Sequence, residues 1–242
     1  RLESIYTREG VKTVMMYGRH QVGKSTLLKR FCEGKHALYI QNPRGSAVDV
    51  LHNLSLSISA FDGRERGDYR FIQDAFEDIA AICRQEPTVV VIDEFPFMIE
   101  NIESAPSVVQ RFIDLSIAGT ETMFVICGSS ISVMRREVGD YSRPLYGRFG
   151  ERMEILPMPF SDCMRLHPDL PELDQVMVYL TVGGIPKYHS FRGIRSYRDF
   201  VIEHFLNDDA DLKDESEMMI TAELSPKGRY MAIVNAICGG YT

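Results

Sequence analysis

Apolar residues fall along this chain in two rhythms. Short runs dominated by Val, Ile, Met, Leu and Tyr occur at Lys12–Tyr17, Ala37–Gln41, Val89–Ile92, Met123–Cys127 and Arg152–Leu156. Runs that are apolar throughout, rather than alternating, suit strands buried on both faces. Between them the spacing changes to three and four. Lys24–Cys32 sets Leu27, Leu28 and Phe31 on one side of a helix, and Ser46–Phe61 and Ser107–Ile117 read the same way. Phe71–Cys83 is the strongest case, with Phe71, Ile72, Ala75, Phe76, Ile79 and Ile82 on one face. Arg1–Thr7 reads as the tail of a helix, and Asp62–Asp68 as a Gly-containing charged loop. Strands that alternate with helices predict an α/β fold with a parallel sheet covered on both sides.

After Pro157 the pattern changes. Ser161–His204 carries only helical spacing and no strand signal, and Ser225–Cys238 reads as one more helix. The acidic stretch Asn207–Glu217 reads as a solvated loop or helix face. The expected organisation is an α/β core over residues 1–159 and a small helical domain over 160–242.

Composition narrows the classes. The chain has 242 residues, 45% hydrophobic and 25% charged, an ordinary globular balance that needs no disulfide or structural metal. A net charge of −7 argues against tight nucleic-acid binding, which needs a dense Lys/Arg face. Cys32, Cys83, Cys127, Cys163 and Cys238 are widely spaced, lack a CxxC pair and read as reduced core thiols. No apolar run approaches a membrane span, and no signal peptide is visible. The chain begins at Arg1 rather than Met and reads as a cytoplasmic piece of a longer protein.

One segment carries specific chemistry. Gly18-Arg19-His20-Gln21-Val22-Gly23-Lys24-Ser25 satisfies G-x4-G-K-[ST], with a strand signal before it and a helix signal after it. Backbone N–H groups of such a loop and of the helix N-terminus form an anion nest for a phosphate. Gly18 and Gly23 allow backbone angles and approaches that a Cβ would block. Lys24 would reach the β- and γ-phosphates, and the Ser25 hydroxyl would ligate magnesium. The nucleotide contacts are expected to run from Gly18 through Ser25 to Thr26.

Asp93 and Glu94 follow directly on the run Val89–Ile92. A carboxylate at the carboxyl end of a buried strand sits where open α/β sheets bind ligands. Asp93 would hold magnesium through water, and Glu94 would orient and polarise the attacking water. The extra strand signal at Ala37–Gln41 fits a layout in which Met123–Cys127 lies between the P-loop strand and the Asp93 strand. Ser129, just past that strand, would then face the γ-phosphate or the water; its rival role is to cap a helix starting near Ser132.

These residues together resemble the prokaryotic, archaeal-type ATPase family of the AAA+/STAND kind. The likeness rests on Gly18–Ser25, the strand ending Asp93-Glu94-Phe95, Cys127-Gly128-Ser129-Ser130, Pro144-Leu145-Tyr146-Gly147-Arg148 and Gly183-Gly184-Ile185-Pro186-Lys187-Tyr188. His20 and Gln21 stand where the family more often has basic residues. The resemblance implies a P-loop sheet ordered 5-1-4-3-2 with a helical lid, and a winged-helix part after the ATPase core. That part would be the route to nucleic acid, which is not expected to bind this segment itself. It implies an arginine finger at Arg148, offered to a second copy of the chain, with a plain ion-pairing arginine as the rival reading and Arg135, Arg136 and Arg143 as competitors. It implies adenine packing by Pro186, against a simple helix cap and turn.

The expected function is binding of ATP with magnesium and its hydrolysis to ADP and phosphate, coupled to a regulatory or DNA-linked task. The alternative is a nucleotide-loaded switch with negligible basal turnover. A kinase is disfavoured, because Glu94 beside Asp93 points to a water nucleophile.

Overall fold

The computed structural model describes residues 1–191, 193–223 and 227–240. The chain divides into two compact units, Arg1–Leu156 and Pro157–Thr242.

The first unit is built on a five-stranded sheet: β1 (Lys12–Tyr17), β2 (Ala37–Gln41), β3 (Val89–Asp93), β4 (Met123–Gly128) and β5 (Glu151–Glu154). All pairings are parallel, and the order is β2-β3-β4-β1-β5, the order 5-1-4-3-2 read from the other edge. Its helices are α1 (Leu2–Tyr6), α2 (Lys24–Cys32), α3 (Ala47–Asp62), α4 (Ile72–Gln85), α5 (Phe95–Asn101), α6 (Ala105–Arg111) and α7 (Ile131–Gly139).

The unbroken apolar runs have a direct physical reading. Successive strand side chains point to opposite faces, so each run feeds two cores. Met15, Leu38, Ile40, Val90, Ile92, Phe124 and Ile126 pack with residues of α3, α4, α6 and α7 on one side. Val14, Met16, Val89, Val91, Val125 and Cys127 pack with Ile5 of α1 and with Leu28 and Phe31 of α2 on the other. Each fully buried large side chain contributes roughly 1.5–3 kcal/mol by removal from water. On the first side Phe76, Phe112 and Phe124 form an edge-to-face series with 5.2 Å between successive ring centroids.

Boundaries shift from the expected ones for local reasons. Ser46 caps α3 instead of entering it, in a capping box with Asp49. The expected helix Ser107–Ile117 divides: α6 starts earlier, and Phe112–Ser116 widens into a π turn. The last strand is Glu151–Glu154, and Ile155 still donates its N–H to the Tyr17 carbonyl at 2.7 Å. On the turn that Pro144 and Gly147 mark, Leu145 is fully buried in the first core together with Phe149, while Tyr146 stays exposed. An apolar leucine at a turn reaching back to the sheet gains more from the core than from solvent.

The second unit is helical, as expected from its spacing: α8 (Phe160–Leu166), α9 (Glu172–Val182), α10 (Tyr197–Val201), α11 (Glu215–Glu223) and α12 (Lys227–Cys238), with a 3-10 turn at Pro186–His189 and a π turn at Ile202–Leu206. Ser225, expected to open the last helix, lies outside the described residues. Most of Asn207–Glu217 is solvated, but Leu212 within it is buried. All five cysteines are free; Cys83, Cys127 and Cys163 are buried, whereas Cys238 is exposed rather than in a core. No helix of the described residues is long and apolar enough to cross a membrane.

Candidate functional site

The site lies in the first unit, at the carboxyl ends of β1, β3 and β4. β1 ends at Tyr17, and the chain turns through Gly18–Gly23 into α2. A Cβ on Gly18 would stand 2.2 Å from the Ile155 carbonyl oxygen, so only glycine fits there. Gly23 (φ 90°) turns the chain into α2 from the left-handed region. Gln21 (φ 63°) also adopts this region, which is sparsely used by residues with a Cβ. Lys24 is 5% exposed and donates to the carbonyls of Gly18 at 2.9 Å and Arg19 at 2.8 Å. Its ammonium is thus folded into the loop that it would share with a phosphate. Val22 is buried beneath the loop, while Arg19, His20 and Thr26 face solvent and Ser25 is half-buried.

Asp93 is fully buried at the end of β3. A buried carboxylate needs donors, and this one has them. The Tyr39 hydroxyl of β2 donates to Oδ2 at 2.5 Å, and the Glu94 N–H donates to Oδ1 at 3.0 Å. The Cys127 thiol of β4 lies beside the same carboxylate; burial, with the Asp93 charge next to it, raises that thiol well above its usual range. Asn42 closes the backbone, both its N–H and its side-chain amide donating to the Asp93 carbonyl, at 3.0 and 3.1 Å.

Glu94 departs from ordinary backbone geometry. At φ 50° and ψ 48° it caps α5 in the left-handed region, a conformation that costs a β-carbon-bearing residue on the order of 1 kcal/mol or more and persists only when its surroundings enforce it. The twist turns its side chain toward β4. There Ser129 holds the carboxylate at two points, Oγ donating to Oε1 at 2.5 Å and N–H to Oε2 at 3.3 Å. Ser129 is therefore not a helix cap; Ser130 takes the N-cap position of α7. Gly128 allows this approach, since a Cβ there would meet Pro96 of α5 at 2.5 Å.

The structure thus gathers Lys24, Ser25, Asp93, Glu94 and Ser129, all singled out in the sequence. It adds Tyr39 and Asn42 of the β2 end, which sequence reasoning missed. Asn42 has a faint signal, directly following a strand that ends opposite Asp93; Tyr39 has none. Arg148 is engaged elsewhere. Its guanidinium forks onto Asp114 of the π turn at 2.9–3.0 Å, and Nη1 donates to the Tyr146 carbonyl. Pro186 opens the 3-10 turn of the second unit.

The donor set can take a magnesium ion. The Asp93 carboxylate at the end of β3 accepts from the Tyr39 phenol, and the Ser25 hydroxyl at the start of α2 lies close enough to act on that same phenol, so two hard oxygen groups lie near one another. No group of three or more His, Cys, Asp or Glu that could hold a metal occurs among the described residues. A cation here would therefore take its other ligands from water and phosphate, the usual habit of magnesium.

Sheet order, loop and paired acids define a P-loop ATPase domain. The chain belongs to the family described as ATPase domains predominantly from Archaea, whose model matches residues 1–189. An uncharacterized protein of Methanocaldococcus jannaschii is 25% identical over 94% of this chain and 49% of its own length, so the chain spans about half of that curated relative. The fold is shared with the Walker-type ATPase of Pyrococcus abyssi (TM-score 0.58, 17% identity, 98% of this chain and 73% of that one). It is shared as well with the Aeropyrum pernix ORC1 protein solved in complex with DNA (0.56, 12%, 88% and 63%). Cdc6p of Pyrobaculum aerophilum is a third neighbour (0.52, 12%, 93% and 64%).

Proposed function

We propose that this chain binds ATP with magnesium and hydrolyses it to ADP and phosphate by in-line attack of water on the γ-phosphate. The observation that carries the reading is Glu94: a carboxylate turned by a strained backbone toward the end of β4, one residue from a buried, fully donated Asp93. Lys24 would exchange its two loop carbonyls for phosphate oxygens, and the N–H groups of the loop and of α2 would cradle the β-phosphate. Ser25 and, through water, Asp93 would hold the magnesium, which when bound neutralises charge on the β- and γ-oxygens. Glu94 would accept a proton from the attacking water, and Ser129 would keep its oxygens aimed.

One observation favours slow turnover in the isolated chain. Ser129 already occupies the Glu94 carboxylate, and Asp114 occupies Arg148. Both catalytic candidates are engaged within the chain, which supports the nucleotide-switch reading for the resting protein, with a second copy or another partner raising turnover. The chain's acidity supports no tight contact with duplex DNA by this segment itself. For Pro186 the adenine reading rests on its Gly-x-Pro element alone. An intracellular setting follows from the use of ATP.

The test separates binding from chemistry. Glu94→Gln should bind ATP like the parent by calorimetry while release of labelled phosphate falls by roughly 10²–10⁴, the contribution of a positioned base. Lys24→Ala should lose affinity with the fold intact. Parent-like turnover in Glu94→Gln would place water activation elsewhere.

A further inference from the structure

Glu94 has an obvious way out of its left-handed conformation. A half-turn of the peptide plane that joins Asp93 to Glu94 would carry φ of Glu94 from 50° to the negative side, which residues with a Cβ prefer. The plane is held against that turn at both ends. Its N–H, that of Glu94, donates to Asp93 Oδ1 at 3.0 Å. Its carbonyl, that of Asp93, takes two donors from one residue: the Asn42 N–H at 3.0 Å and the Asn42 side-chain amide at 3.1 Å.

Asn42 is itself well fixed. It follows β2, and its N–H carries the β2–β3 ladder one step past the pair Gln41–Asp93. The β3–β4 ladder, by contrast, ends at the pair Ile92–Ile126. The last residue of β3 is therefore paired through β2 and not through β4. Asn53 of α3 donates to the Gln41 carbonyl at 2.9 Å, which pins the far end of the peptide plane in front of Asn42. Pro43, directly after it, disfavours a helical backbone at Asn42.

The orientation of the Asn42 amide carries a cost. The residue is 3% exposed, and its Oδ1 is buried with no hydrogen-bond partner among the described residues. Turning the amide over would set Oδ1 against the Asp93 carbonyl oxygen, acceptor against acceptor. A bare buried acceptor costs free energy, and such an exception calls for a reason. The donor on the other branch of the amide supplies it.

We propose that Asn42 is the positioning residue for Glu94: by giving the Asp93 carbonyl two donors it locks the peptide plane that keeps Glu94 in its left-handed turn, and so aims the Glu94 carboxylate toward β4. The inference rests on Glu94 as the base of the proposed hydrolysis. Asn42 acts through the backbone of Asp93, whereas Ser129 holds the carboxylate itself.

The experiment uses Asn42→Ala, which removes the side-chain donor, and Asn42→Asp, which keeps the shape and at pH 8 turns an acceptor to the Asp93 carbonyl. Turnover at saturating ATP should fall about 2- to 10-fold in both, the worth of one net hydrogen bond, while ATP affinity by calorimetry stays like the parent's. In a Glu94→Gln background Asn42→Ala should cost little further turnover, because the base it aims is gone. Melting gives a readout apart from activity. Glu94→Gly removes the cost of the left-handed turn, so its effect on melting should be more favourable with Asn42 in place than beside Asn42→Ala, where residue 94 is already free to turn. Parent-like turnover in both Asn42 variants, with Glu94→Gln impaired, overturns the positioning role. An equal proportional loss in the Glu94→Gln background, or the same melting effect of Glu94→Gly in both backgrounds, overturns it in favour of a merely structural asparagine. Parent-like turnover in Glu94→Gln overturns the underlying reading, and the positioning role with it.

Discussion

The two units bury polar groups in opposite ways. In the first, Lys24 and Asp93 are among the buried charges, and Lys24 donates to backbone carbonyls that a phosphate could replace. Among the described residues of the second, the buried polar residues are His167 and His189, and they hydrogen-bond each other. His189 Nε2 lies 2.6 Å from the Gly183 carbonyl and so carries the proton; its Nδ1 then accepts from His167 Nε2 at 3.2 Å. Phe191 stacks on the His167 ring at 4.1 Å and completes the packing. Buried polarity at the loop of the first unit is open to exchange with a ligand, unlike the ion-paired Lys12 and Glu137 of the same unit, whereas the histidine pair of the second only holds a turn together.

Both units use the same backbone device, and the largest expected effect comes from breaking it. A Cβ would lie 2.2 Å from the Ile155 carbonyl oxygen at Gly18 and 2.0 Å from the Met158 carbonyl oxygen at Gly184. Neither obstacle is a flexible side-chain end. Gly18→Ala and Gly184→Ala should each destabilise by about 3–5 kcal/mol, the upper range for single substitutions. Gly18→Ala should also abolish nucleotide binding under conditions where the protein remains folded. A variant at Gly18 that melts and binds like the parent would show that the loop relaxes around the methyl.

An intermediate effect should come from acid. Burial, with His189 beside it, pushes the His167 imidazole from its ordinary 6.5 down to about 4, and burial lowers His189 as well. Between those values the unfolded chain binds the proton that the folded chain refuses, so stability present above pH 6.5 is lost as pH falls toward 4. Melting curves should show a loss of roughly 1–2 kcal/mol between pH 7 and 5. His167→Gln should flatten that slope, while nucleotide affinity of the parent stays less dependent on pH over the same range. An identical acid slope in His167→Gln would move the effect to other groups.

The smallest expected effect on stability belongs to Arg148. Its fork with Asp114 is partly solvated, so Arg148→Ala should cost about 1 kcal/mol or less. Its importance to turnover is a separate question, settled by mixing. If Arg148 serves a neighbouring copy, Arg148→Ala and Glu94→Gln protomers, each inactive alone, should recover part of the activity together. Full activity in Arg148→Ala would leave this residue with its ion pair and nothing more.

What could be read in advance follows the range of the interactions. The P-loop, Asp93 and Glu94 carry their chemistry in adjacent residues, and the strands that present them are apolar throughout because both faces are covered. The order of the sheet came from family resemblance, not from spacing. Tyr39 was invisible because its partner lies 54 positions away and is reached only through the β2–β3 register. Ser129 was left between two roles because its choice depends on the left-handed turn at Glu94, and nothing in the residue type marks that turn. The burial of Leu145 is not legible in its residues, because Pro144 and Gly147 mark a turn without saying which side of it meets the core.

The middle place of β4 has a consequence in time. Every residue from Met123 to Gly128 is buried, and the strand is hydrogen-bonded to β3 on one side and β1 on the other. Its amides have no edge from which to open, so their protons should trade with heavy water only when the whole unit unfolds, whereas the short edge strand β5 can fray. The Cys127-Gly128-Ser129 end of β4 is therefore the still point of the site. Ser129, which grips Glu94, follows directly on this strand and is anchored by it.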